Sequence, residues 1–365
     1  MAFANIYKDK KVLVTGNTGF KGAWLSTWLV HLEAKVYGIS NGVPTTPSIF
    51  EESNQKSKIS YYQKDIRSLN DMVNLINEIS PDFVFHLAAQ PLVRFSYEDP
   101  VTTMETNIIG TMNILEALRV WNKKCSAVII TSDKAYDNVE WVWGYKETDH
   151  LGGKDPYSAS KGAAELVIKT YTHSYFIKKE SNVKLAVGRA GNVIGGGDWA
   201  KDRIVPDAIR AWSQRKSVDI RSPHATRPWQ HVLEPLSGYL MLGQKLSDNH
   251  LLNGEPFNFG PNSEQNHSVG ELLDSMKIFW PDGADWNDVS AQAAKVHEAT
   301  LLKLNCDKAL HYLGWLPTLR FKETVKMTMN WYENFYFKKE NIWGFTIDQI
   351  KEYEAIASNQ NIAWT

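Results

Sequence analysis

The sequence predicts an α/β fold, a doubly wound parallel sheet with a smaller, interwoven C-terminal lobe, and three observations carry that expectation. Short β-rich runs alternate with amphipathic helical patterns through the first half of the chain, as βαβ units do. A glycine-rich turn, Thr15 to Gly22, joins the first run to the first helical stretch. After Gly191 the alternation breaks into loops, single helices and short strands rich in Gly, Pro, Trp and Asn.

Taken in order, Val12-Leu13-Val14 reads as the first strand. Trp24, Leu25, Trp28, Leu29 and Leu32 then recur at helical spacing, so that helix lays one face on the sheet. Lys35 to Ile39 is the second strand. Phe83-Val84-Phe85 and Ala127 to Thr131, the latter taken as the fifth strand, are too continuously apolar to be half-exposed. Leu185 to Val187 adds a sixth. Asp99-Pro100 and Asp155-Pro156 each offer an N-cap acceptor followed by a residue that needs no donor, and each opens a helix expected to run about twenty residues. Pro256 to Gly260 looks like a strand returning to the main sheet, which interweaves the two lobes.

At 365 residues the chain exceeds one typical domain and falls short of three. Hydrophobic residues at 43% and charged residues at 22% exclude a disordered or fibrous chain. Forty basic against 41 acidic side chains leave no global field to gather nucleic acid or an anionic membrane, so any anion must be held locally. Two cysteines, Cys125 and Cys306, argue against a disulfide framework or a zinc site and for a reducing, cytoplasmic compartment; no metal is expected. Met1 to Lys11 lacks an apolar signal core, and the longest apolar stretch is interrupted by His86 and Gln90, so no membrane segment is expected. Most of the 14 tryptophans read as core.

In Thr15-Gly16-Asn17-Thr18-Gly19-Phe20-Lys21-Gly22 the glycines stand three apart. They permit a tight turn, let backbone amides approach a pyrophosphate, and let the helix pack close on the strand with its N-terminus favouring negative charge. An ordinary βα loop is the plainer reading, but the position between strand and helix favours a dinucleotide cradle at Gly16, Thr18, Gly19, Phe20, Lys21 and Gly22. The fold is then Rossmann-like, with residues 1–190 as the dinucleotide-binding domain and 191–365 mainly the second lobe. The acid that often holds the adenosine ribose about twenty residues on is missing, because the second strand ends in Ser40-Asn41. That leaves NAD and NADP both open on this ground. Asp65-Ile66 is a candidate clamp on the adenine edge and equally a loop cap.

Tyr157 and Lys161 stand one helical turn apart inside a capped helix, so the ammonium can lie near the phenol. A free phenol, with a pKa of about 10, is too weak a base at neutral pH, and a nearby cation favours the phenolate. Ser132-Asp133-Lys134 follows the fifth strand at the carboxyl edge where open parallel sheets bind ligands. It sets a hydroxyl, an acid and an amine side by side, able to bind a substrate hydroxyl, protonate a leaving group and abstract a proton. A surface pair and a solvated turn are the bland alternatives.

With His86-Leu87-Ala88-Ala89-Gln90, Asn107 with Gly110, and Arg189-Ala190-Gly191-Asn192-Val193, these segments resemble the extended short-chain dehydrogenase/reductase family in order and spacing. Within it, Ser132-Asp133-Lys134 resembles the nucleotide-sugar 4,6-dehydratases, and Lys134 in place of the usual Glu is similar to their CDP-glucose branch. Phe20-Lys21-Gly22-Ala23-Trp24-Leu25, Ala89-Gln90-Pro91-Leu92-Val93-Arg94, Glu140-Trp141-Val142-Trp143-Gly144-Tyr145, Gly195-Gly196-Gly197-Asp198-Trp199 and Arg227-Pro228-Trp229-Gln230-His231-Val232 point the same way.

The resemblance implies bound NAD, with Leu87, Ala88, Ala89 and Asn107 added to the cofactor set, and a CDP-sugar substrate. Tyr157, Lys161 and Ser132 would act at C4, Asp133 as acid at C6 and Lys134 as base at C5. Arg227 is the expected diphosphate ligand, its fork of donors suited to phosphate oxygens. Gln90 and Asn192 join the substrate set, and Arg203 is the weaker candidate, with a solvated surface charge as its simpler reading. A 4-epimerase or reductase using the same Tyr157 and Lys161, or a dehydratase for another nucleotide sugar, is the alternative; Asp133-Lys134 speaks against the first. The resemblance also implies a homodimer through a four-helix bundle of the two long helices, and a place in deoxysugar synthesis for a surface polysaccharide such as the O-antigen of lipopolysaccharide.

Overall fold

The computed structural model describes residues 2–291 and 301–365. Its first half runs β1 (Lys11–Thr15), α1 (Phe20–His31), β2 (Lys35–Ser40), α2 (Ile49–Glu52), β3 (Ser60–Gln63), α3 (Leu69–Ile79), β4 (Phe83–His86), α4 (Val93–Glu98), α5 (Pro100–Met104), α6 (Gly110–Trp121), β5 (Cys125–Ile130), α7 (Pro156–Tyr171) and β6 (Val183–Ala190). The second half continues through β7 (Val193–Ile194), α8 (Ile204–Trp212), β8 (Val218–Ile220), β9 (Thr226–Arg227), β10 (Gln230–His231), α9 (Leu233–Asp248), β11 (Pro256–Phe259), β12 (His267–Ser268), α10 (Val269–Lys277) and β13 (Trp286–Asp288). It ends in α11 (Asp307–Leu313), α12 (Phe321–Glu333) and α13 (Ile342–Asn359).

The main sheet has seven strands in the order β11-β6-β5-β4-β1-β2-β3, all parallel. Strand order reverses at β1, which lies between β2 and β4, so a crevice opens beyond their carboxyl ends. β4 and β5 are buried at every position, as continuously apolar strands in a two-sided α/β layer must be. β3 escaped sequence reading because Ser60-Tyr61-Tyr62-Gln63 is a half-exposed edge strand with no apolar run. The returning strand is present: β11 pairs with β6 from Pro256↔Val187 to Phe259↔Ala190.

Both Asp-Pro starts are capped, Asp99 accepting from Thr102 N and Asp155 from Ser158 N, each at 2.9 Å. The first helix continues from α5 through a π-helical turn, Glu105–Ile109, into α6. The second adds a π turn, Thr172–Phe176, to α7. Each therefore reaches the expected length, with a wide turn that keeps its axis continuous.

Two apolar cores occupy the two faces of the sheet. The larger takes in the second lobe and most of the tryptophans, including Trp24, Trp28, Trp212, Trp315, Trp331 and Trp364. α13 was not foreseen. It packs against α1, where Trp28 Nε1 donates to Glu354 Oε1 at 2.7 Å, and Trp364 beyond it stacks on Phe3 at 4.9 Å. The C-terminal segment thus fastens the back of the helix whose front end faces the crevice. Among the described residues no helix is long and apolar enough to cross a membrane.

Candidate active site

A cleft of about 2100 Å³ runs along the carboxyl ends of the strands and under the second lobe. Gly16, Thr18, Gly19, Phe20, Lys21, Gly22, Asp65, Ile66, Leu87, Ala88, Ala89 and Gln90 line it, as do Ser132, Asp133, Lys134, Tyr157, Lys161, Asn192, Arg203 and Arg227. Of the residues expected at the site, Asn107 alone lies outside the lining.

At the glycine end the backbone itself is the wall. Gly16 has φ +72°, and a Cβ there would come within 2.8 Å of Ala88 N, while a Cβ on Gly22 would overlap the carbonyl oxygen of Gly16. Gly19 stands at the N-cap of α1 without a side-chain cap, so the first amides of that helix are left for an anion. These features fit a dinucleotide diphosphate. Where an acid often stands, Ser40 Oγ accepts from Thr18 N at 3.3 Å and donates to Asn17 Oδ1 at 2.9 Å. It braces the turn from behind. Asp65 reaches the far end of the cleft with its carboxylate paired to Arg67 Nη2 at 2.7 Å, a bond that holds its pKa below the usual range.

Asn107 instead works behind the loop. Its Oδ1 accepts from Gln90 N at 2.8 Å, and its Nδ2 donates to Gln90 O at 3.1 Å and Ser160 Oγ at 2.8 Å. Gln90, expected on the substrate, turns its own amide inward to Leu92 and Thr103 Oγ1. The pair shapes the cleft wall and ties it to α7.

At the reacting end, Tyr157 and Lys161 are buried on the inner face of α7. Ser132 Oγ donates to Asp133 Oδ1 at 2.8 Å and lies beside the Tyr157 phenol. Burial pushes that phenol up to about 12, with the Ser132 hydroxyl and the Arg203 charge pulling the other way and Asp133 adding to the rise. Burial pulls the Lys161 ammonium down to about 8, with Glu165 opposing it. Lys21 is likewise brought to about 8, by burial and then by Arg203, while Asp133 opposes. Lys134 is half-buried at the wall, its backbone N–H bonded to Ser132 Oγ at 3.2 Å.

Arg203 is no solvated surface charge. Asp198 holds it at 2.8 Å, and its positive charge reaches Tyr157. Asp198 is fixed in turn by Tyr332 of α12, whose hydroxyl accepts from Asp198 N at 3.1 Å and donates to Asp198 O at 2.5 Å. Arg227, on β9, donates from Nη1 to Thr226 O at 2.8 Å. Asn192 lies at the opening of β7, its carbonyl accepting from Gln230 N at 3.1 Å.

Sequence reasoning missed Val218 to Ser222, which line the lobe side, and the Arg94–Asp202 ion pair at 2.6 Å across the cleft mouth. Nothing local to Arg94 announces a partner more than a hundred residues away. Among the described residues no cluster of three or more His, Cys, Asp or Glu side chains could hold a metal.

A parallel sheet with a glycine turn after its first strand and a buried Tyr-Lys pair facing that turn defines a dinucleotide-dependent enzyme of the short-chain dehydrogenase/reductase class. Residues 13–328 match the GDP-mannose 4,6 dehydratase family, and the chain belongs to that family. It is 46% identical over 332 residues to a CDP-glucose 4,6-dehydratase of Salmonella typhimurium, covering 90% of this chain and 92% of that enzyme. Among solved structures it resembles Pal from Bacillus thuringiensis, with a TM-score of 0.75 and 25% identity over 89% of this chain and 99% of that one. The UDP-glucuronic acid 4-epimerase of Bacillus cereus, solved with UDP-glucuronic acid and NAD, shares the fold at TM-score 0.75 and 22% identity, over 89% of this chain and all of that one.

Proposed function

We propose that the protein converts CDP-D-glucose to CDP-4-dehydro-6-deoxy-D-glucose and water with bound NAD. The observation that carries the reading is Tyr157, buried in the same cleft as the hydrogen-bonded Ser132–Asp133 pair, which puts a base for one hydroxyl beside an acid for another. The 46% identity to the Salmonella typhimurium enzyme supports CDP-glucose as the substrate.

Gly16 to Gly22, Ile66 and Leu87 to Ala89 would hold the cofactor, with Asp65 at its adenine end. Bound NAD supplies a hydride acceptor for C4 and a hydride donor for C6, so no external reductant is consumed. Tyr157 takes the C4 hydroxyl proton onto its phenolate oxygen, Ser132 Oγ bonds the same substrate oxygen, and Lys161 favours the phenolate. The C4 ketone acidifies the C5 hydrogen, which the Lys134 amine removes. Asp133 passes a proton to the C6 hydroxyl oxygen as it departs as water, a proton balanced by the one Tyr157 takes from the C4 hydroxyl. A proton returned to C5 completes the product. Arg227 and Asn192 bind the diphosphate, and Arg203, beside Tyr157 and Lys21, faces the sugar end.

Val101, Ile109 and Val120 on the α5–α6 helix and Leu166 on α7 are exposed apolar positions that support a homodimer through these helices as a four-helix bundle. Two cysteines far apart in sequence support a reducing cytoplasm. A 4-keto-6-deoxy product suits deoxysugar synthesis for a lipopolysaccharide.

Incubation with CDP-, dTDP-, UDP- and GDP-glucose side by side tests the reading. CDP-glucose is expected to give a 4-keto product with strong alkaline ultraviolet absorbance. Preference for another nucleotide, or inversion at C4 without loss of water, overturns it.

A further inference from the structure

The catalytic acid sits on a short turn, Asp133–Ala135 with Ser132 as its cap, and the C4 base, Tyr157, sits on a separate helix. A single-turn segment cannot fix its own orientation. The residues on its two flanks are held by one buried ion pair. Before the turn, Thr131 Oγ1 donates to Glu165 Oε1 at 2.5 Å. After it, Tyr136 OH accepts from Arg189 Nη1 at 2.7 Å, and the Arg189 guanidinium lies 4.8 Å from the Tyr136 ring centre. Arg189 on β6 grips Glu165 on α7 with both prongs, Nε to Oε1 at 2.7 Å and Nη2 to Oε2 at 2.9 Å. The side chains are 3% and 4% exposed.

The carboxylate also stands four residues after Lys161 on α7 and opposes the burial that depresses that ammonium. Tyr136 carries the link onward, its hydroxyl donating to Asn258 Oδ1 of β11 at 2.8 Å. A buried ion pair adds little net stability over well-packed apolar side chains. Its bidentate fork does fix direction.

We propose that Glu165 and Arg189 are positioning residues that clamp both ends of the Asp133 turn to the helix bearing Tyr157 and Lys161, so that the acid at C6 and the base at C4 address one sugar. The inference rests on the proposed function. It separates their spacing from their identity: misplacement by about 1 Å costs on the order of 10²-fold in rate.

Thr131→Val with Tyr136→Phe cuts both hydrogen bonds to the flanks of the turn while leaving the two charges paired. On CDP-glucose this double variant is expected to lose about 10²-fold in kcat, with KM unchanged and a thermal midpoint close to that of the parent. Arg189→Lys, which keeps the charge and loses the fork, is expected to behave alike. In Glu165→Gln the alkaline fall of kcat moves to lower pH, because Lys161 loses the one carboxylate facing it while Lys21 from α1 and His86 from β4 remain. A Thr131→Val/Tyr136→Phe protein with parental kcat overturns the clamp, as does Arg189→Lys with full activity or an unmoved alkaline limb in Glu165→Gln. Failure of the parent itself to turn over CDP-glucose overturns the proposed function instead.

Discussion

On the sheet side of the cleft, functional side chains are placed by elements of the sheet layer itself, the Asp133 turn by α7 and β6 beside it; on the lobe side they depend on partners more than a hundred residues along the chain. Ser132 and Asp133 are neighbours in sequence, and the helix of Tyr157 is started by a cap, Asp155, three residues from its donor, Ser158 N. Arg203, by contrast, is aimed by Asp198, which Tyr332 holds from 134 residues away. Glu234 of α9 is bonded by Thr318 N, Leu319 N and Tyr353 OH, the last across 119 residues. The difference teaches that chemistry is concentrated where one layer places it, while the lobe that meets the substrate depends on the whole C-terminal half folding correctly.

The largest effect should come from the sheet side. Tyr157→Phe is expected to lower kcat by about 10²–10⁴-fold with bound NAD retained, as steady-state rates and the absorbance of released nucleotide will show. Next comes Gly22→Ala, whose added carbon would overlap the Gly16 carbonyl. Overpacking of about 1–3 kcal/mol, if it falls on the bound state, corresponds to NAD retention weakened by about 5- to 150-fold, readable by isothermal titration.

On the lobe side, Tyr332→Phe removes one hydroxyl from the support of Asp198. The expected loss is about 3–10-fold in kcat/KM, the size of one net hydrogen bond; an unchanged kcat/KM would break the comparison. The smallest effect is on stability. Burial pushes the Glu234 carboxyl up to about 7, its three hydrogen bonds opposing. A folded-state pKa above the unfolded one means that the protonated form favours folding, so this contribution is present at low pH and lost as pH rises through about 7. Glu234→Gln, which replaces the protonated carboxyl, should therefore flatten the fall in thermal midpoint between about pH 5 and about pH 8.

The same division explains what could be read beforehand. β4 and β5 announce themselves by continuous apolar runs, β1, β2 and β6 by shorter β-rich ones, and Asp99 and Asp155 by their following prolines, because those signals lie within one turn or one strand. Lys134, Tyr157 and Lys161 could be placed together because α7 and the end of β5 face the same crevice. Asn107 and Gln90 were assigned to ligands but bond each other; an amide's partner cannot be told from its residue type. Arg203 looked like a surface charge because Asp198 is remarkable only once the chain has turned back toward Tyr332. α13 carries a readable spacing at Ile342, Thr346, Ile350, Tyr353 and Ala357, all buried, diluted by polar positions on that same face.

The most direct test follows the label in CDP-glucose deuterated at C4 through a single preparative turnover, read by NMR of the product. Chemistry at Tyr157 and Asp133 on one bound sugar predicts deuterium at C6 of a 4-keto-6-deoxy product. Deuterium lost to solvent, or kept at C4 with the configuration inverted, would contradict the account.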